Sequence, residues 1–242
     1  MGFQSFINED VINESVHDRG CFKAVFLAGT PGSGKSYIIS KIKSGSIEPR
    51  IVNVDKFVEF LNLNNPNPTY VRADVYDRAK KLSKNQFAQY INGALPLFVD
   101  ATSANLNTLR NRLNVLDMIG YDYAMIFVNT SVETSQKRAS MRPRKVDPEV
   151  IKQDYDTIQK MKNKIISYFP FHMEINNDDG ELTDDIILKA YKRISYFYDG
   201  EIENPIGKER YETMLEKGWK YLAPNIMGMS EIKSLINTWY SD

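Results

Sequence analysis

The chain has 242 residues, of which 42% are hydrophobic and 26% are charged, as expected for a globular protein. Lys plus Arg and Asp plus Glu both total 31, so the formal net charge is zero, which argues against a chain coated in basic charge for long nucleic-acid tracts. A single cysteine, Cys21, excludes an internal disulfide. The chain has no apolar run long enough to span a bilayer and no secretory signal at its N-terminus, so we expect a cytoplasmic protein.

Short apolar runs alternate with amphipathic stretches, which predicts β-α-β units and an α/β fold around a central parallel sheet of about five strands. The predicted strands are Lys23–Ala28, Ile51–Val54, Leu95–Val99, Tyr123–Val128 and Phe171–Ile175. The predicted helices lie at 35–45, 57–63, 70–92, 106–119 and 182–198. Two further helices are predicted, one after a capping box at 130–133 and one from 148 onward. We predict an N-terminal segment (1–21), a core (22–178) and a helical C-terminal extension (179–242).

The turn between the first strand and the first helix reads Gly29-Thr30-Pro31-Gly32-Ser33-Gly34-Lys35-Ser36, which matches G-x-x-x-x-G-K-[ST]. Glycines let the backbone turn its N–H groups inward, and the following helix N-terminus adds positive potential, so the turn predicts a phosphate site. Lys35 is expected to reach the β- and γ-phosphates, and Ser36 to offer its hydroxyl to Mg²⁺. The sequence therefore predicts a P-loop NTPase three-layer sandwich that binds ATP and Mg²⁺.

Two aspartates end predicted strands, where an open parallel sheet faces its ligand crevice. Asp55 ends the second strand and could accept a proton from a substrate hydroxyl, but Asp is also a favoured N-cap for the helix that follows. Asp100 ends the third strand, as in the Walker-B arrangement in which a carboxylate holds Mg²⁺ directly or through water. A cap or turn role is the alternative for Asp100.

The segment Lys137–Lys145, KRASMRPRK, lies between two predicted helices. Arg138 and Arg142 are four residues apart and share one helix face, with Arg144 just beyond. Arginine forks suit the charge that a transferring phosphoryl group spreads over its oxygens. The segment therefore predicts a lid, with a solvated basic turn as the alternative.

Together these motifs resemble the P-loop kinases grouped around phage polynucleotide 5′-kinase and the zeta toxins, over roughly residues 22–175. The matching motifs are the loop with Lys35, Asn53-Val54-Asp55, Asp100-Ala101-Thr102 with Asn105 beyond, Lys137-Arg138-x-x-x-Arg142 and Pro148–Tyr155. The resemblance implies a central loop strand with helices on both faces of the sheet. It also implies the roles: Lys35, Asp55, Arg138 and Arg142 are catalytic, with Asp55 as the base, while Ser36 and Asp100 support the metal.

The function that the resemblance implies is transfer of the γ-phosphate of ATP to a hydroxyl of a nucleic acid, nucleotide or nucleotide sugar. It further implies a phage-encoded, zeta-toxin-like protein of the host cytoplasm. A basic helix face at Arg78–Lys84 would suit a phosphate-bearing substrate, although such faces are commonly just solvated. The alternative is a non-catalytic nucleotide-binding switch or interaction module. In that case Trp219, Tyr221, Trp239 and Tyr240 would dock a protein partner, unless these aromatics pack against the core.

Overall fold

A computed structural model describes residues 20–42, 49–62, 73–100, 105–141, 146–178, 182–217 and 229–240. Within these ranges five strands form one parallel sheet in the order β2-β3-β1-β4-β5. The strands are β1 (Lys23–Ala28), β2 (Arg50–Val52), β3 (Leu97–Asp100), β4 (Asp122–Asn129) and β5 (Phe171–Asn176). The predicted α/β fold is confirmed, and the strand before the glycine-rich turn is the central one.

Nine helices in the described ranges connect and cover these strands. They are α1 (Lys35–Ile42), α2 (Val54–Asn62), α3 (Ala73–Asn92), α4 (Leu106–Ile119), α5 (Val132–Ser140), α6 (Pro148–Ser167), α7 (Asp184–Asp199), α8 (Pro205–Lys217) and α9 (Met229–Trp239). The predicted capping box began one residue too early, because the side chain of Ser131, not Thr130, accepts the N–H of Thr134. None of the described helices has both the length and the apolar character needed to cross a membrane.

The side chains of β1 divide the apolar core between the two faces of the sheet, because successive residues of a strand point to opposite sides. Ala24, Phe26 and Ala28 share a cluster with buried side chains of α3, α4, α6 and α9. Val25 and Leu27 share another with buried side chains of α1 and α7. The arrangement is therefore a three-layer sandwich, with the turn after β1 at the centre of one sheet edge.

The C-terminal helix α9 completes the first of these clusters. Trp239 is only 1% exposed, and its ring centroid lies 4.3 Å from that of Phe87 and 6.2 Å from that of Phe26. The hydroxyl of the buried Tyr240 lies 2.6 Å from Oγ of Ser83. Trp239 and Tyr240 thus pack against the core, and the interpretation of these two residues as a partner-docking surface is wrong. Trp219 and Tyr221 lie outside the described residues.

The amino end of the sheet is closed by the segment between α7 and α8. Lys23, at the start of β1, is 3% exposed, and its Nζ pairs with Oδ2 of Asp122 at 2.7 Å and donates to the carbonyl of Glu201 at 2.5 Å. Asp122, at the start of β4, also accepts the backbone N–H groups of Glu203 and Asn204, each at 2.8 Å. Lys23 and Asp122 thus tie the starts of β1 and β4 to the segment between α7 and α8.

Candidate functional site

The glycine-rich turn packs closely against α5 and against the residue that follows β5. Gly32 and Gly34 have φ values of +90° and +91°, a conformation that L side chains rarely adopt. A Cβ at Gly32 would collide with the carbonyl of Ser135 on α5, and a Cβ at Gly34 would collide with Nδ2 of Asn177 just after β5. Both positions therefore require glycine, and the shape of the turn depends on α5 and on the end of β5.

Hydrogen bonds hold this turn from inside and outside. The N–H of Ser33 donates to the carbonyl of Thr30 at 3.1 Å, and the Thr30 hydroxyl lies 2.9 Å from the buried hydroxyl of Ser135. The Ser33 carbonyl accepts from Nδ2 of Asn177 at 2.6 Å and from the hydroxyl of Thr130 at 3.3 Å. The carboxyl ends of β4 and β5 thus support the turn that follows β1.

Lys35 and Ser36 begin α1 at the open side of the turn. The ammonium group of Lys35 donates to the carbonyls of Gly29 and Thr30 at 2.7 and 3.0 Å, so it lies over the turn's own backbone. Ser36 is exposed in the first turn of the helix. Burial raises the pKa of Asp154 on α6, and the positive charge of Lys35 partly offsets that rise, so α6 brings a carboxyl group that sequence reasoning missed into the field of Lys35.

Asn53 links the two predicted strand-end acids. Strand β2 ends at Val52, so Asp55 does not end the strand as predicted but lies exposed in the first turn of α2. The N–H of Asp55 donates to Oδ1 of Asn53 at 2.7 Å, and Nδ2 of Asn53 donates to Oδ2 of Asp100 at 2.9 Å. Because Asn53 supplies the oxygen that caps this helix, the alternative role of Asp55 as the N-cap is wrong.

Asp100 is placed as predicted, at the carboxyl end of β3 and opposite Leu27 of the neighbouring β1. Strands lie about 4.8 Å apart, so β2, which leads into Asp55, is about 10 Å across the sheet from β1. A hydroxyl and a carboxylate fit Mg²⁺, which commonly takes one or two protein ligands and completes its shell with water and phosphate oxygens. Ser36 and Asp100 are therefore a chemically suitable pair for that ion.

Arg138, in the last turn of α5, lies beside the turn after β1. Its Nη1 donates to the carbonyl of Asn177 at 2.6 Å.

At the other end of α5, the N–H and hydroxyl of Ser131 donate to Oδ1 of Asp178 at 2.8 and 2.7 Å. Burial raises the pKa of Asp178, but these hydrogen bonds, with smaller contributions from Thr134 and Arg138, outweigh it and lower the pKa below its usual value of 3.8.

Some predicted positions lie elsewhere. Arg142 and Arg144 are outside the described residues, so the lid stays a prediction. Asn105 is the N-cap of α4, because its side chain accepts the N–H groups of Asn107 and Thr108. Lys84, on the predicted basic face, lies over the ring of Tyr240 and so contributes to the contact between α3 and α9.

Sequence reasoning also missed Asn177 and Asp178, which share with Asp100 a position at the end of a strand. They follow β5 in the run Asn176-Asn177-Asp178-Asp179 and therefore stand at the carboxyl edge of the sheet.

Comparisons with known proteins agree with this fold. The family model described as Zeta toxin matches residues 9–182. No curated protein matches the chain. A chain of the Pnkp1/Rnl/Hen1 RNA repair complex is similar with a TM-score of 0.50 and 20% identity, covering 61% of this chain and 47% of that one. The PezAT toxin–antitoxin system of Streptococcus pneumoniae contains a chain similar with a TM-score of 0.50 and 17% identity, covering 81% and 93%. At these identities the structural likeness shows the fold.

Proposed function

The chain belongs to the zeta toxin family, and from that premise we propose that it is an ATP-dependent kinase that transfers the γ-phosphoryl group to a hydroxyl. The acceptor class that we propose is a nucleic acid, a nucleotide or a nucleotide sugar. The observation that carries this proposal is the Asn53 bridge, which joins the helix turn bearing Asp55 to the carboxylate of Asp100 beside the glycine-rich turn. We propose that Asp55 lies beyond the bound phosphates, where an acid would serve transfer to a hydroxyl and would have no use in a site that only held a nucleotide.

In the proposed reaction the backbone amides of residues 32–36 and the N-terminus of α1 bind the phosphate chain. Lys35 neutralises charge on the β- and γ-phosphates. The oxygen of the acceptor hydroxyl bonds to the γ-phosphorus while Asp55 accepts the hydroxyl proton. The bond from that phosphorus to the bridging oxygen breaks, and ADP leaves. Ser36 and Asp100 are the residues that would hold Mg²⁺, which neutralises charge on the phosphate oxygens.

The arginines have separate places in this proposal. Arg138 is held beside Gly34 through the carbonyl of Asn177, which supports a contact with the bound nucleotide. Arg142 is proposed to reach the transferring phosphate from the predicted lid, because an arginine fork matches the equatorial oxygens of that group. The phage origin and the cytoplasmic location stay predictions.

The test is incubation with γ-labelled ATP and a panel of acceptors: 5′-hydroxyl DNA and RNA, hydroxymethylated DNA, nucleosides and nucleotide sugars. We expect label in one acceptor class, with none in a Lys35→Ala variant. ATP hydrolysis without transfer to any acceptor would instead favour the nucleotide-binding switch. An unchanged transfer rate in Lys35→Ala would refute the assignment of the phosphate site.

A further inference from the structure

Asn177 lies at the end of a strand, and no motif of the sequence predicts its contact with the glycine-rich turn. It is 5% exposed, follows β5 directly and meets the glycine-rich turn through its side chain, with Nδ2 donating to the Ser33 carbonyl at 2.6 Å. The two residues are 144 positions apart in the sequence. The same Nδ2 fills the space that a Cβ at Gly34 would need. Asn177 thus contacts the peptide group that joins Ser33 to Gly34.

The direction of that peptide group decides whether the turn can bind an anion. In a trans peptide the C=O and the following N–H point in opposite directions. A Ser33 carbonyl held outward by Asn177 therefore turns the N–H of Gly34 inward, toward the concave side where phosphate oxygens would lie. Thr130 supports the same carbonyl from a longer distance of 3.3 Å.

The backbone of Asn177 is itself fixed on both sides. Its N–H donates to the carbonyl of Asn129 at the end of β4 at 2.8 Å, and its carbonyl accepts from Arg138 at 2.6 Å. A side chain on so constrained a backbone has little freedom to follow movements of the turn. It therefore holds the turn in place and does not merely fill space.

We propose that Asn177 is a positioning residue that presets the phosphate-binding shape of the glycine-rich turn by holding the Ser33 carbonyl outward. The proposal rests on the proposed function, since it assumes that the turn binds the phosphates of ATP. Asn177 acts through the backbone of the turn in this account and needs no contact with the base or the sugar of the nucleotide.

The test uses inorganic tripolyphosphate, a probe with phosphates and no base, alongside ATP, each titrated into the full chain by calorimetry. We expect Asn177→Ala to weaken both ligands by a similar factor of about 2 to 13, the range for losing one hydrogen bond that favours the binding shape of the turn, since Thr130 still bonds the Ser33 carbonyl. Asn177→Asp should weaken them further, because its carboxylate would face the carbonyl oxygen. Asn176→Ala is the matched control, since Asn176 is the exposed neighbour in β5, and it should bind both ligands like the wild type.

Each outcome decides for or against the proposal. Thermal unfolding scans fix a temperature at which all variants are folded, and unchanged tripolyphosphate affinity of Asn177→Ala at that temperature would leave Asn177 a purely structural residue. Weaker binding of ATP alone would indicate a contact with the base and overturn the proposal, as would a wild-type chain that binds ATP but not tripolyphosphate. Failure of the proposed function looks different: the wild type would bind both ligands and transfer no label to any acceptor, or it would bind neither ligand.

Discussion

The two ends of the parallel sheet use the same residue types in different ways. At the amino end Asp122 begins β4, and its carboxylate is bonded to the buried Lys23 and to two backbone N–H groups of residues 203 and 204. At the carboxyl end Asp100 closes β3, and one of its oxygens accepts from Asn53, which also caps the helix that carries Asp55. In the proposed function Asp55 and Asp100 at the carboxyl edge serve the chemistry, whereas Asp122 at the amino edge serves the structure.

This difference separates variants that should lose activity from variants that should lose stability. The carboxyl edge presents an exposed Asp55 and the backbone of the glycine-rich turn, whereas at the amino edge and in α9 the polar and apolar groups contact one another. Substitution of Asp55 is expected to alter catalysis in a folded protein, whereas substitutions at the amino edge and in α9 are expected to alter folding in an otherwise competent one.

The substitution Asp55→Asn tests the proposed chemical role of the carboxyl edge and has the largest expected effect. Phosphoryl transfer should fall by about two to four orders of magnitude, the usual range for a positioned acid–base group, while ATP affinity stays nearly intact. Single-turnover transfer of labelled phosphate and calorimetric titration of ATP measure the two quantities. Glu59→Gln, an exposed carboxylate on the same helix, is the control and should transfer at the wild-type rate. Wild-type transfer by Asp55→Asn would remove Asp55 from the chemistry.

A second substitution, Trp239→Ala, tests whether α9 belongs to the core. The fully buried ring contacts Phe87 and Phe26, so its loss should lower the free energy of unfolding by about 3–5 kcal/mol. Urea unfolding followed by circular dichroism measures the change. Tyr196→Ala removes an aromatic ring that is 74% exposed and should cost less than about 1 kcal/mol. Equal losses in the two variants would contradict the assignment of α9 to the core.

At the amino edge, Asp122→Asn should lower the free energy of unfolding by about 3 kcal/mol, because it leaves the buried Lys23 ammonium without its counter-charge. The transfer rate of the folded fraction should not change. The control is Asp185→Asn, which breaks the exposed pair with Lys189 and should cost less than about 1 kcal/mol. A variant that folds normally but loses transfer would place Asp122 in the site and erase the distinction between the edges.

The smallest effect concerns pH and Asp178. The pKa of Asp178 is lowered in the folded protein, so the stability that its ionised carboxylate contributes is complete above the unfolded value of 3.8 and is lost as pH falls through the folded pKa. The difference in unfolding free energy between the wild type and Asp178→Asn should stay constant from pH 7 to 5 and shrink below about pH 4. Urea titrations over this range measure it, with the exposed Asp156→Asn as reference. A difference that grows in acid would show that the hydrogen bonds from Ser131 do not stabilise the carboxylate.

Local patterns predicted the fold because apolar runs and glycines act over short distances. All five strands were placed within two residues of their observed ends, and the central position of β1 followed from the resemblance. The error at Asp55 has a local cause as well. Asn53 caps α2, so the helix begins at Val54, three residues before its predicted start at 57, and Asp55 lies inside it.

Contacts between segments that are distant in the sequence could not be predicted from it. Nothing in the run after β5 indicates that Asn177 would reach Ser33, and an aromatic residue on an amphipathic helix such as α9 can face either a core or a partner. Only the packing of α9 on α3 and α4 decides that Trp239 is interior. The proposed catalytic roles depend on such relations between segments, which is why they need experiments.

The burial of Trp239 against Phe26 has a consequence for how the protein is made. Phe26 leaves the ribosome long before residue 239 is added, and at about 5–20 residues per second the interval is on the order of ten to forty seconds. Until then that face of the central strand lacks the part of its cover that α9 supplies. Nascent chains should therefore depend on chaperones, or aggregate, until translation has passed α9.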